Sequence, residues 1–363
     1  MNQQTFHFIN PFQIDIDPMD RLLLVNIEND PDDIYIGFEP QVFSDEQLGE
    51  VHLVIGWRRD GKVDVYHQPG MNIDPSNYDI VGKGLAAIVE CEFAAAFYEV
   101  TDTGVQANYQ FADRYQREIN IKIAETNSKK RKPFGLLAPM GDAAETPSAL
   151  PLVLLHDFYF VRKKQTTAEV EINGKSHQPD ELPLPIDRAK MLFTRYSPKP
   201  LIARFNPAVE EDLIPLEVQL QQEQLTLANC DFTFEWTGRK PAIKSITQRN
   251  DIYPVTLRFT EAFPDIKSLY ENSRFEGKFE LSAHPSTGVI AGNYAVEKTK
   301  GETTITIVPS DGWKPRPAKL SLLFLYTAAK IFKHWPKTYE WTANIYEQDN
   351  GQYAISSNWR RIR

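Results

Sequence analysis

The chain has 363 residues, 42% of them hydrophobic and 25% charged, with a formal net charge of −9 at neutral pH. That length suits two folded domains of about 150–200 residues each, and the composition excludes a largely disordered chain. The acidic balance excludes a broad phosphate-binding surface, so no nucleic-acid partner is expected.

The first twenty residues, MNQQTFHFINPFQIDIDPMD, contain neither a basic start nor an apolar run, so no signal peptide is expected. No window holds 18 uninterrupted apolar residues. No transmembrane segment is expected, and the default location is cytoplasmic. Asp15, Asp17 and Asp20, and then Asp30, Asp32 and Asp33, resemble strings of ligands but lack the glycine and terminal glutamate of a calcium loop. The seven histidines are scattered, and no metal or other cofactor is expected.

From residue 51 onward the pattern is one of period two, the signature of strands with one buried face. Val51, Leu53, Ile55 and Trp57 share one face, while His52, Val54 and Arg58 share the other. Asp60-Gly61 then turns the chain into Val63 and Val65, because a tight hairpin needs residues that tolerate positive φ. Gly82-Lys83-Gly84 is too short for a phosphate loop. Residues 86–100 read as one long strand, followed by the turn Thr101-Asp102-Thr103-Gly104 and a partner at 105–112. One face of 86–100 carries Val89, Cys91, Phe93, Ala95 and Phe97; the other carries Glu90, Glu92, Ala94, Ala96 and Tyr98. If the second face points inward, two carboxylates and a phenol line a cavity; if outward, they form the wet face.

Residues 116–124 place Arg117, Ile119, Ile121 and Ile123 on one face. Lys129-Lys130-Arg131-Lys132 reads as a solvated basic loop. The apolar loop 134–150, with Leu136, Leu137 and Met140, is expected either to cover a cavity as a lid or to pack on the neighbouring domain. Residues 151–163 are apolar on both faces, which predicts a strand covered on both sides. His156 and Asp157 fall in its middle and, as neighbours on a strand, are expected on opposite faces rather than as a couple. His156 reads either as a structural histidine or as a cavity-lining acid or base. Residues 167–172 and Asn173-Gly174 follow as a strand and a turn.

Proline is dense from 179 to 215, and PDELPLPIDR and YSPKPLIARFNP are not expected to be central strands. The domain junction is placed there, dividing the chain into 1–195 and 196–363. Alternating runs resume at Cys230–Trp236, 255–259, 279–281, 289–297, 303–308, 339–346 and 352–359. Residues 319–334, KLSLLFLYTAAKIFKH, predict a helix bounded by Pro317 and Pro336, laid against the second domain or lying on a membrane surface. Cys91 and Cys230 fall in different domains, so no stabilising disulfide is expected. The whole predicts a mainly β protein of two antiparallel barrel or sandwich domains.

In its length, its two meander halves, the hairpin Ala168–Lys175, the stretch GKFELSAHPSTGVIAGNY at 277–294 and the late helix, the chain resembles two-domain lipocalin-like proteins. That group includes carotenoid 1,2-hydratases, AttH-type proteins and lipocalin-like Diels–Alderases. The segment after Asn173-Gly174 reads SHQPDELPLPIDRAK and lacks the group's Asp-His-x-Trp-like pattern, so no catalytic residue is carried over. The resemblance implies a pocket for an isoprenoid-, polyketide- or fatty-acid-like molecule, at or between the domains.

The function expected first is therefore binding of a small hydrophobic molecule, with Trp57, Tyr98, Leu136, Leu137, Met140 and Phe158 as candidate contacts. The second is a hydratase, cyclase or isomerase using Glu90, Glu92 or His156 as the acid. The third is a module that meets a protein or membrane surface.

Overall fold

A strand apolar on both faces must be covered twice, and that requirement organises this chain. The computed structural model describes all residues except 1–3, 18, 80, 128–131, 139–143, 187, 317–325, 327–333 and 363. The described residues are mainly β, with three short 3-10 turns at Pro75–Asn77, Ile266–Ser268 and Pro285–Thr287. The helix expected over 319–334 lies almost wholly outside the described residues, as do Met140 and most of the basic run 129–132.

The amino-terminal half contains a ten-stranded sheet and a five-stranded sheet. The larger runs in the order Ile14–Asp17, Leu201–Phe205, Leu150–Arg162, Met191–Ser197, Arg21–Asn26, Tyr35–Asp45, Gly49–Arg58, Val63–His67, Leu85–Glu90. Phe134–Ala138 adds to Leu150–Arg162 beside that path. The smaller runs Lys175–His177, Thr166–Ile172, Glu118–Glu125, Gly104–Ala112, Phe93–Thr101. Pairing is antiparallel except between Val63–His67 and Leu85–Glu90, which run parallel.

The two sheets share a buried core. Val25, Phe38, Val42 and Val54 from the larger meet Tyr109, Ile119, Ile121, Ile123 and Val170 from the smaller. On the opposite face of the larger sheet, Leu53, Ile55, Val63 and Val65 pack with Tyr78 and Val81. The alternation read at 51–57 is thus realised with both faces buried rather than one.

Two expectations are corrected at strand level. Residues 86–100 are not one strand: Leu85–Glu90 belongs to the larger sheet and Phe93–Thr101 to the smaller, with the chain crossing between them at Cys91 and Glu92. A bulge between Phe93 and Ala95 then reverses the face presented, since one extra residue inverts a period-two pattern. Phe93, Ala96 and Tyr98 therefore pack into the core while Phe97 is 48% exposed. The proline-dense stretch, moreover, does supply central strands. Leu201–Phe205 lies between Ile14–Asp17 and Leu150–Arg162, because Pro198, Pro200 and Pro207 fall just outside it and leave its ladder donors intact.

The carboxy-terminal half is a ten-stranded antiparallel sheet from Glu210–Leu213 and Tyr353–Arg361, through successive hairpins, to Gln224–Leu227. Its members at Cys230–Thr237, Val255–Pro264, Ser273–Ser282, Val289–Thr299, Glu302–Lys314 and Tyr339–Glu347 contain the alternating runs read from the sequence. Pairing passes from one large sheet to the other between Phe205 and Glu210, whereas the boundary expected at 195/196 falls inside the strand Met191–Ser197.

The first residues join the second half. Thr5–Phe8 pairs with Leu216–Gln219, and Phe6 and Phe8 meet Trp236 and Phe234 edge-on at 5.4 and 5.6 Å. Phe12 inserts among Phe259, Phe263 and Trp341, with ring centroids at 5.2, 4.7 and 6.1 Å. Replacing a buried phenylalanine by alanine removes its transfer energy and leaves a cavity. Phe12→Ala is expected to cost about 3–5 kcal/mol in chemical denaturation. Phe97→Ala, at an exposed site, is expected to stay within about 0.5 kcal/mol of the parent.

Candidate functional site

The strand Tyr35–Asp45 reads YIGFEPQVFSD, and its alternation sends Phe38 and Val42 into the core between the sheets. Glu39, Gln41 and Phe43 consequently point to the other face, beside Ile55 and Val51 of the next strand. An outer sheet face would ordinarily be wet. Here residues 71–79 and Val81 cross it and bound a cavity of about 290 Å³.

Three elements wall the cavity. Asp17, Ile202 and Val153 form a register row across three strands. Glu39, Gln41 and Phe43, paired across to Ile55, Leu53 and Val51, form its second side. Met71, Ile73, Tyr78 and Val81 close it from above.

The roof is anchored by polar contacts. Asp74 caps the short 3-10 turn by accepting from Ser76 N at 2.9 Å and Ser76 Oγ at 2.8 Å. Ser148 Oγ donates to Ser76 O at 2.7 Å and to Asp79 Oδ1 at 3.0 Å. Arg204 reaches Asn77 Oδ1 at 2.6 Å and Asp15 and Asp17 at 3.5 Å. Further along, Lys83 N donates to Gly61 O at 2.8 Å. Gly82 has φ +58°, and a Cβ there would come within 2.4 Å of that same carbonyl, so the close approach requires glycine.

Glu39 is the chemically distinctive group. It is 6% exposed, and its carboxyl accepts from Gln41 Nε2 at 2.8 Å and from Trp57 Nε1 at 3.1 Å. Burial raises its pKa above the ordinary carboxylate range, opposed by the two hydrogen bonds and the more distant Arg195 guanidinium. Desolvation likewise raises Asp17 and Asp79. Gln41 Oε1 is buried and has no hydrogen-bond partner among the described residues.

The residues singled out from the sequence are dispersed. Trp57 is half-buried and reaches the site through Glu39. Tyr98 is a core residue whose hydroxyl donates to Leu22 O at 2.7 Å. Glu90 and Glu92 are both exposed, so neither supplies an inward acid. Leu136, Leu137 and Phe158 are core residues. Leu136 and Leu137 lie on Phe134–Ala138, a strand paired with Leu150–Arg162 rather than a lid.

His156 requires a different correction. Its Nε2 lies 3.3 Å from Asp157 Oδ2, so the two neighbours do couple. The register with Phe134–Ala138 shifts between Phe134 and Leu136, setting His156 and Asp157 opposite Gly135 alone. Such a bulge re-aims adjacent side chains that a regular pleat would separate. His156 also packs edge-on against Tyr253 at 4.7 Å and lies 5.7 Å from the His284 ring. His284 Nδ1 accepts from Ser286 N at 3.2 Å and lies 2.6 Å from Ser286 Oγ, capping the turn Pro285–Thr287. Burial holds the His156 pKa below the usual histidine range, assisted by His284 and Lys199 and opposed by Asp157. Neither His156 nor His284 borders the cavity beside Glu39.

No family model, curated protein or solved structure matches the chain.

Glu39 titrates higher in the folded chain than its ordinary value of 4.5. A folded pKa above the unfolded one contributes stability that is present at low pH and lost as pH rises through the folded value. Thermal unfolding of the parent and Glu39→Gln from pH 4 to pH 8 should therefore show the parent losing ground to the variant as pH rises. A difference independent of pH would contradict the raised pKa.

Proposed function

We propose that this chain binds a small, mainly apolar molecule in the cavity between the outer face of the larger amino-terminal sheet and the residues Met71, Ile73, Tyr78 and Val81 that cover it. The observation that carries the reading is a buried carboxyl, Glu39, set beside Gln41 Oε1, an acceptor without a partner among the described residues, in a cavity with apolar walls from Phe43, Val51, Ile55, Val153 and Ile202. Binding sites commonly combine apolar walls with a few placed polar groups that orient the ligand.

The volume sets the scale. About 290 Å³ sits at the lower edge of ordinary ligand pockets, which begin near 300 Å³. It suits a single-ring or short-chain compound and not an extended isoprenoid. The reading agrees in kind with the pocket implied by the resemblance to two-domain lipocalin-like proteins, with the site on an outer sheet face rather than between the halves.

Ile73 is half-buried on the roof, where a larger side chain can fill the cavity with little disturbance to the strands. Native mass spectrometry of the full chain, mixed with a panel of one-ring apolar compounds, should detect a one-to-one adduct. Ile73→Trp should weaken that adduct by tenfold or more. Equal binding by parent and Ile73→Trp would remove the cavity as the site.

A further inference from the structure

We infer that the occupant of this cavity carries a protonated amine at its polar end, donating to Gln41 Oε1 and facing the carboxylates of Glu39 and Asp17. The inference rests on the binding reading above and names the chemical class of its ligand. Among the described residues, the cavity lining contains Asp17, Glu39, Asp45 and Asp74 and no lysine, arginine or histidine. Asp45 and Asp74 hold turns: Asp45, which is exposed, accepts from Gln47 N and Leu48 N at 2.8 Å through Oδ1, and Asp74 accepts from Ser76 through both oxygens. Their charge belongs to the local backbone. Asp17 has a cation nearby, but Arg204 lies 3.5 Å away and is shared with Asp15 and Asn77.

Glu39 is different because its two hydrogen-bond donors, Gln41 and Trp57, are neutral. The Arg195 guanidinium acts on it only through space, having bonded Asn26 Oδ1 at 2.6 Å and Phe193 O at 3.0 Å. A buried carboxylate without a bonded cation is costly.

Gln41 supplies the independent observation. Its side chain is 5% exposed, its Nε2 is committed to Glu39, and its Oε1 has no partner among the described residues. The Nε2 of the same amide donates to Glu39 Oε1, so Oε1 is the end of the amide left to receive a donor. Gln41 Oε1 therefore calls for a hydrogen-bond donor, and the Glu39 carboxyl beside it has no bonded cation. An ammonium has three N–H donors and no acceptor, and meets both requirements. A hydroxyl would meet the first alone, and a carboxylate would oppose the second. The apolar body of such a ligand would lie against Phe43, Ile55 and Tyr78.

The test is isothermal titration of the full chain at pH 7.5 with 2-phenylethylammonium, 2-phenylethanol and 3-phenylpropanoate, which share a ring and differ in their polar end. The ammonium should bind at least tenfold more tightly than the alcohol, and the carboxylate should give no heat. Glu39→Gln should erase that preference while the alcohol still binds. Gln41→Met, which removes the acceptor but keeps the volume, and Asp17→Asn, at the cavity edge, should each weaken the ammonium severalfold and serve if Glu39→Gln does not fold. Alcohol binding as tight as ammonium binding, with both lost in Ile73→Trp, would overturn the amine and leave the cavity reading standing. Ammonium binding unchanged in Ile73→Trp would place the cation elsewhere on the acidic surface and overturn the proposal. No heat from any of the three would overturn both readings.

Discussion

The burial of both faces of the larger amino-terminal sheet is the constraint on which the rest depends. Along Gly49–Arg58, Val54 and His52 enter the core shared with the smaller sheet, while Leu53 and Ile55 face the opposite way into a second cluster. Neither face can be left to water without exposing a contiguous apolar surface. The five-stranded sheet covers one side. On the other, Leu53, Ile55, Val63 and Val65 are met by Tyr78 and Val81, with Met71 and Ile73 packed beside them, and space is left beside Glu39 and Gln41.

The same logic explains how the halves are joined. An amino-terminal arm carries Phe6, Phe8 and Phe12 onto the carboxy-terminal sheet, and Leu150–Arg162 contributes to the core cluster that continues into it. The buried surface at Phe12 is aromatic on every side that the ring contacts show, so its energetics are those of packing. Buried polar groups stand elsewhere, among them Asp64, held by Arg58 at 3.1 Å, Arg114 at 3.4 Å and Tyr35 Oη at 3.1 Å.

Bulges recur where the structure departs from a regular pleat. One between Phe93 and Ala95 takes Phe97 out of the core and puts Tyr98 in it. Another brings His156 and Asp157 together opposite Gly135, where a Cβ would come within 2.2 Å of Ser286 O. Each inserts one residue into a period of two. The consequence is an inversion of face, which moves a side chain by the full thickness of the sheet.

The sequence by itself determined that the protein is mainly β and where most of its strands lie from residue 51 onward, because alternation and turn chemistry are local properties of a few neighbouring residues. Asn173 and Gly174, for instance, both adopt the positive φ that their turn requires. Only the tertiary structure decided which faces are buried, since that depends on what crosses them. Glu39 and Gln41 alternate with Phe38 and Val42 in a pattern indistinguishable from a wet sheet face, and the strand carrying them gave no sign of a site. Their burial follows from Met71, Ile73 and Tyr78 arriving from thirty or more positions away. Glu90 and Glu92 show the converse: they alternate in the same way and are exposed. Thus the sequence located the strands, and long-range packing decided which of their polar residues stand in water and which in the cavity.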